Sequence, residues 1–159
     1  KRKVRREYRT IIWGQMKERE GIINAPIGRS PSNRKKMTVL ESGGREAVTY
    51  YNIIDTFAPF QYIKVRLGTG RTHQIRVHFS YAGRFVLGDP EYGGRKIRKG
   101  NLSADEIRLA EKALSAIDRQ ALHAAQLAFV HPGRNREMVF SAPLPEDFRE
   151  VLAIIGGKD

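Results

Sequence analysis

Cysteine is absent from the 159-residue chain. That excludes disulfides, cysteine nucleophiles, thiolate-bound metals and iron–sulfur clusters. It suits a reducing compartment, and a cytoplasmic location is the expectation. Long apolar runs are also missing: no stretch approaches bilayer-spanning length, and no apolar segment near the start marks a signal peptide. No segment combines a basic face with a broad exposed apolar face, so a membrane partner is not expected. The four histidines, His73, His78, His123 and His131, fall at neither H-x-x-x-H nor H-E-x-x-H spacing, and no metal site is expected. Nucleotide loops fail on single residues. Gly68-Thr69-Gly70 has His73 where a third glycine belongs, and Gly156-Gly157-Lys158 runs into Asp159 rather than Ser or Thr. Asn101-Leu102-Ser103 is formally a glycosylation sequon but reads as a helix cap. Internal repeats and low-complexity linkers are absent.

Acidic side chains are in short supply. Against 17 Asp and Glu stand 29 Lys and Arg, a net charge of +12. The basic residues cluster at positions 1–6 (KRKVRR), 34–36 (RKK) and 95–99 (RKIRK). A compact domain this basic points to a polyanion, and RNA or DNA is the expected partner. The apolar fraction is 40%, with 7 Phe, 6 Tyr and 1 Trp, enough for one domain with its own core. The chain starts at Lys1 rather than Met and opens directly into strand-like sequence, as a trimmed piece of a longer protein would.

Periodicity predicts strands at 8–13 (YRTIIW), 37–40, 47–57, 62–67, 85–87 and 137–141, and at the end of 121–130. Residues 21–33, punctuated by Gly21, Pro26, Gly28 and Pro31, read as loop. Helices are predicted over 72–82, with Thr72 able to cap and Gly83 past the end, and over 103–117, where Ser103 and Glu106 form a capping box. A third helix falls within 145–155, with Phe148, Val151, Leu152 and Ile155 inward. Strands outnumber helices and do not alternate with them. The expected fold is α+β, with a mixed, largely antiparallel sheet flanked by helices.

Residues 70–94, GRTHQIRVHFSYAGRFVLGDPEYGG, are the richest segment. Arg71, His73, Gln74 and Arg76 sit on or beside the first turn of a helix, where amides and basic side chains together favour an anion. Arg76 borders the apolar face marked by Phe79, and a buried arginine demands a carboxylate. Asp89 can supply it as a structural ion pair, and on the residues alone that reading leads. His78, between Val77 and Phe79, reads as a packed histidine bonded to backbone.

This segment resembles the signature of the RluA-type pseudouridine synthases. Other pieces resemble the family in the same order: Glu7-Tyr8-Arg9 with Trp13-Gly14, Pro26-Ile27-Gly28-Arg29, Arg34-Lys35-Lys36-Met37, Ala47 to Tyr51, Gln120-Ala121-Leu122-His123-Ala124, Phe129 with His131-Pro132, and Ala142-Pro143-Leu144-Pro145-Glu146-Asp147-Phe148. One motif departs. The family's nucleophilic aspartate lies in a His-Arg-Leu-Asp segment upstream of the tyrosine strand, and none of Asp55, Asp89, Asp105, Asp118, Asp147 and Asp159 has that context. By this resemblance residues 1–159 are the C-terminal part of one catalytic domain, without an S4-like domain.

The resemblance implies an RNA pseudouridine synthase that isomerises uridine in rRNA or tRNA without a cofactor. The target nucleotide is flipped out, the aspartate attacks the nucleoside, the glycosidic bond breaks, and the base rejoins through C5. Tyr8 would stack on the flipped base, Arg76 would hold the aspartate, and Leu122 would wall the pocket. Arg71, His73, Lys35 and Lys36 would meet phosphates. The chain alone is expected to be a monomer and, lacking the nucleophile, inactive. A non-catalytic basic RNA-binding module is the alternative.

Overall fold

A computed structural model describes residues 4–156; positions 1–3 of the first basic cluster and residues 157–159, including Asp159, lie outside the described residues. The architecture is organised around the first strand, β1 (Arg5–Trp13), whose β-branched and aromatic residues end at Gly14, φ 76°. β1 lies between β6 (Phe60–Leu67) and β7 (Leu122–Val130). Outside these run β5 (Val48–Phe57), β2 (Glu20–Asn24) and β8 (Glu137–Ser141), giving the order β2-β5-β6-β1-β7-β8. A separate hairpin joins β3 (Ile27–Arg29) to β4 (Met37–Val39). Every pairing between described strands is antiparallel.

Strict alternation gives the sheet two apolar faces. Ile11, Trp13 and Phe60 point to a core shared with α2 (Ala104–Ala116) and α3 (Glu146–Ile155). Ile12, Ile63 and Val65 point the other way, to α1 (Gln74–Tyr81) through Ile75 and Phe79. A smaller cluster, Ile27, Ala47 and Val77, ties the hairpin to α1. The capping box of α2 forms as expected, Ser103 Oγ accepting from Glu106 N and Glu106 Oε1 from Ser103 N. α3 buries Phe148, Val151, Leu152 and Ile155 and ends at Gly156, φ 93°.

Three expectations are corrected. Residues 21–33 are not plain loop, for they contain β2 and β3. Gly21 is there for packing: a Cβ on it would lie 2.6 Å from the Tyr51 hydroxyl of the neighbouring strand. Residues 85–87 form no strand, only a single bridge from Val86 to Ile12. α1 is not capped by Thr72; His73 precedes it in a left-handed conformation, φ 56°, with no side-chain cap.

Candidate RNA-binding cleft

α1 starts where β6 ends, and its first turn is wired by side chains. The Gln74 carboxamide oxygen accepts from Thr69 Oγ1 (2.8 Å) and Arg71 N (3.0 Å), and its nitrogen donates to Val48 O (2.9 Å) and Thr49 Oγ1 (3.0 Å). His78, fully buried, bonds Ala25 O through Nε2 (2.9 Å) and Thr49 Oγ1 through Nδ1 (2.7 Å). A carbonyl only accepts, so Nε2 carries the proton. Burial lowers the pKa of the ring against the raising effect of the Ala25 bond, so the neutral ring takes the Thr49 hydroxyl proton at Nδ1. Nothing in the sequence pattern announced Gln74 and Thr49 as partners; only the pairing of β5 with β6 brings them together.

This framework presents Arg76 to the loop after α1. Arg76 Nε and Nη2 grip Asp89 Oδ2 and Oδ1 at 2.8 Å each, and Nη2 also reaches Glu91 Oε1 at 3.0 Å. Arg76 is 6% exposed and Asp89 1%. Burial alone would push the Asp89 carboxyl up, but Arg76 and the amides of Glu91 and Tyr92 outweigh it, leaving the pKa below the ordinary aspartate value. The Arg76 guanidinium is held above its ordinary value mainly by Asp89. Arg76 thus already faces two carboxylates of this chain. The ion pair with Asp89 weighed from the residues alone is what the structure contains.

Tyr8 and Leu122 share the α1 side of the sheet. Both pack on the cluster that includes Ile75, Val65 and Phe79. Tyr8 lies opposite Ala124 and Val65, and Leu122 opposite Thr10. A bulge in β7 follows Ala124, and there a groove of about 330 Å³ opens, lined by Arg6, Tyr8, Ala124, Leu127, Phe140 and Ala142. The start of β7 is tied to β1 and to the segment before Asp89: Ala121 N donates to Leu87 O (2.8 Å), and Thr10 Oγ1 donates to Ala121 O (2.9 Å). A half-buried aromatic and an apolar side chain thus share one side of the sheet, and the groove beside Tyr8 offers a surface on which a planar base can stack.

The basic residues expected at phosphates divide. Lys35 is exposed, and its ammonium makes no hydrogen bond among the described residues. Lys36 Nζ donates to Glu91 O (2.6 Å) and lies 6.0 Å from the Tyr92 ring centroid. His73 Nδ1 meets the Tyr92 hydroxyl at 2.7 Å. That hydroxyl also accepts from Met37 N, and burial raises its pKa. Tyr92, which sequence reasoning did not single out, is the hub joining α1, the hairpin and the Asp89 loop, with Arg76 4.9 Å from its ring centroid. Arg71 stands apart, its Nε on Glu46 O (2.7 Å). Among the described residues no group of three or more His, Asp or Glu is arranged to hold a metal. Among the described residues no helix is long and apolar enough to cross a membrane.

Known proteins resemble this chain along nearly its whole length. The chain is 41% identical over 154 residues to ribosomal large subunit pseudouridine synthase D of Neisseria meningitidis, matching 97% of this chain and 39% of that protein. It is 43% identical over 152 residues to the protein of the same name from Vibrio cholerae, 95% of this chain and 45% of that one. The chain spans less than half the length of these curated relatives. Human RNA Pseudouridylate Synthase Domain Containing 4 has the same fold, with a TM-score of 0.73 at 24% identity over 96% of this chain and 62% of that one. Human RNA Pseudouridylate Synthase Domain Containing 1 aligns with a TM-score of 0.66 at 25% identity, covering 91% and 57%. The sequence profile of the RNA pseudouridylate synthases matches residues 1–81, half of the chain and all of the segment from β1 to α1, and the chain belongs to that family.

Proposed function

We propose that this chain forms one wall of the active site of an RNA pseudouridine synthase acting on ribosomal RNA; the names of its bacterial relatives give the large ribosomal subunit as the target of those synthases. The observation that carries the reading is Tyr8 and Leu122 on one sheet face, with Ala121 and Leu87 tying the start of β7 to the segment before Asp89, the buried partner of Arg76. In this reading Tyr8 stacks on the flipped uracil, a contact worth roughly 1–3 kcal/mol, and Leu122 excludes water beside it. Arg76, already neutralised by Asp89, uses its remaining edge to orient a further carboxylate. Lys35 and His73 meet phosphates from the α1 side, and Arg71 and Lys36 act there mainly by bracing Glu46 and Glu91.

Residues 1–159 alone are inactive in this reading, and they bind RNA without turning it over. Asp89 is sealed by Arg76 and two amides, and Asp147 is engaged by Arg119. Asp55 accepts from Thr56 N, and Asp105 pairs with Arg108 on α2, across the sheet from Tyr8. No carboxylate among these is free to attack a nucleoside at Tyr8. The test is a chimera in which this chain replaces the matching 152 residues of the Vibrio cholerae relative. It should release tritium from C5 of labelled uridine in large-subunit rRNA. The isolated 159 residues should not, and Arg76→Lys in the chimera should cut the rate at least a hundredfold, because lysine keeps charge but loses the planar fork. A folded chimera without turnover refutes the reading.

A further inference from the structure

The Trp13-Gly14 turn and the basic segment 95–99 take no part in the cleft. They meet at the far end of β1, five residues beyond Tyr8 and about 17 Å away at strand spacing. There the end of α1, the Trp13-Gly14 turn and the loop entering α2 enclose a concavity of about 340 Å³. Arg84, Lys96 and Arg98 line it against a single carboxylate, Glu106. That carboxylate is already engaged by the Ser103 amide in the α2 capping box.

The two arginines are held by backbone carbonyls. Arg84 Nε donates to Gln15 O at 2.7 Å and Nη1 to Gly83 O at 3.3 Å. Arg98 lies 3.9 Å above the Phe85 ring and donates through Nη1 to Gly93 O (3.1 Å) and Lys96 O (3.3 Å). All these acceptors are carbonyls. Among the described residues neither arginine has an ion pair, whereas Arg5, Arg9, Arg76, Arg108 and Arg119 each do. Neutral carbonyls orient a guanidinium without cancelling its charge, and the rotamer freedom that an anion would otherwise have to remove is already lost. The backbone is shaped for this. Gly14 has φ 76°, and a Cβ there would sit 3.0 Å from Arg84 Cδ; Gly93 has φ 88°, and a Cβ there would sit 3.1 Å from Arg98 Nη2. Each arginine lies across a glycine.

We infer that this concavity is a second phosphate site, which holds the backbone of the RNA strand whose target nucleotide occupies the cleft. The inference rests on the RNA reading above and extends it to a surface no sequence motif assigns. Preset guanidinium forks match phosphate oxygens, and a strand gripped at both ends of β1 gains from effective concentration what neither end supplies alone. The two ends also share one loop: Trp13 Nε1 donates to Gly94 O (2.8 Å), and Gly94 N to Asp89 O (2.8 Å).

Trp13 is the chain's single tryptophan, so its fluorescence reports on this concavity. The experiment titrates the chain with a labelled 12-nucleotide single-stranded RNA, reading anisotropy and Trp13 emission across a salt series. The proteins compared are wild type, Arg84→Gln/Arg98→Gln, Lys96→Glu and the cleft-side Lys35→Glu, each checked by thermal melting. Lys96 is the fold-safe probe, since its ammonium makes no hydrogen bond among the described residues. RNA should change Trp13 emission in wild type and Lys35→Glu. The double variant should bind at least fivefold more weakly, with a log K against log salt slope shallower by about 1.4, two phosphates at roughly 0.7 each. Lys96→Glu should weaken binding in the same direction and alone decides the matter if the double variant unfolds. RNA binding that Lys35→Glu weakens but that leaves Trp13 emission and the Lys96→Glu affinity unchanged overturns this site and leaves the RNA reading standing. No RNA binding by wild type overturns both. Displacement of RNA by polyglutamate as readily as by polyphosphate at equal charge marks a site for acidic protein, and overturns the assignment to RNA.

Discussion

Replacing Asp89 by asparagine preserves the outline of the side chain and strips Arg76 of its bidentate partner. Arg76 then keeps only the half-exposed Glu91; a buried charge that loses its partner altogether costs about 3–5 kcal/mol, and urea denaturation of Asp89→Asn should show a loss approaching that size. The same residues set the acid limb of stability. The folded-state pKa of Asp89 lies below its unfolded value, so its contribution is full above about pH 4 and is lost as pH falls through the lowered folded value. His78 acts earlier. Its folded pKa is also depressed, so the unfolded chain takes up the proton first, and stability declines as pH falls below about 6.5. Melting temperatures should therefore drop between pH 7 and pH 5, and His78→Gln should flatten that drop while lowering the pH 7 value. Arg76, with its need for a carboxylate, and His78, with its backbone partner, were both legible from their places beside Phe79. Tyr92 was not, because its importance comes from two distant segments, at His73 and Met37, meeting on its hydroxyl, and no local pattern encodes a convergence.

At the scale of elements, long periodic segments were readable and short ones were not. α2 and α3 carry apolar stripes and, for α2, a capping box, and both stand close to where the pattern put them. α3 is anchored by side chains with no exposure to spare. Phe148→Ala should cost about 3–5 kcal/mol, measured by chemical denaturation, since Phe148 is fully buried and its ring meets Tyr62 edge-on at 6.0 Å. β2 was misread because Gly21 looks like punctuation, whereas it is the gap that the Tyr51 ring fills. Gly21→Ala should accordingly destabilise by about 1–3 kcal/mol through overpacking, and the double variant with Tyr51→Leu should recover part of the loss. If the single variant is neutral, the glycine is a chance occupant of the strand.

For the molecule as a whole, the excess of positive charge predicts salt-sensitive RNA binding, but the structure redistributes which charges contribute. Arg95 lines neither the groove at Tyr8 nor the Arg84–Arg98 concavity and instead braces the end of α2 through Leu114 O and Ile117 O, while Lys36 donates to Glu91 O. A log–log salt slope of about −2 to −4 should then respond to Lys35→Glu and hardly to Arg95→Gln, which should instead lower the melting temperature. The sheet order carries one more consequence, for how the chain is made. β1 is made well before β7, one of its two neighbours, with Thr10 paired to Leu122. At the usual 5–20 residues per second, on the order of ten seconds of synthesis separate the strand from that partner. Through this interval Ile11, Ile12 and Trp13, all interior in the finished sheet, lack the β7 side of the sheet and can draw cover only from β6, α1 and α2 as each is made. The central strand of the native sheet is thus an edge strand on the ribosome, and a nascent chain halted before residue 122 should be a better chaperone client than the completed one.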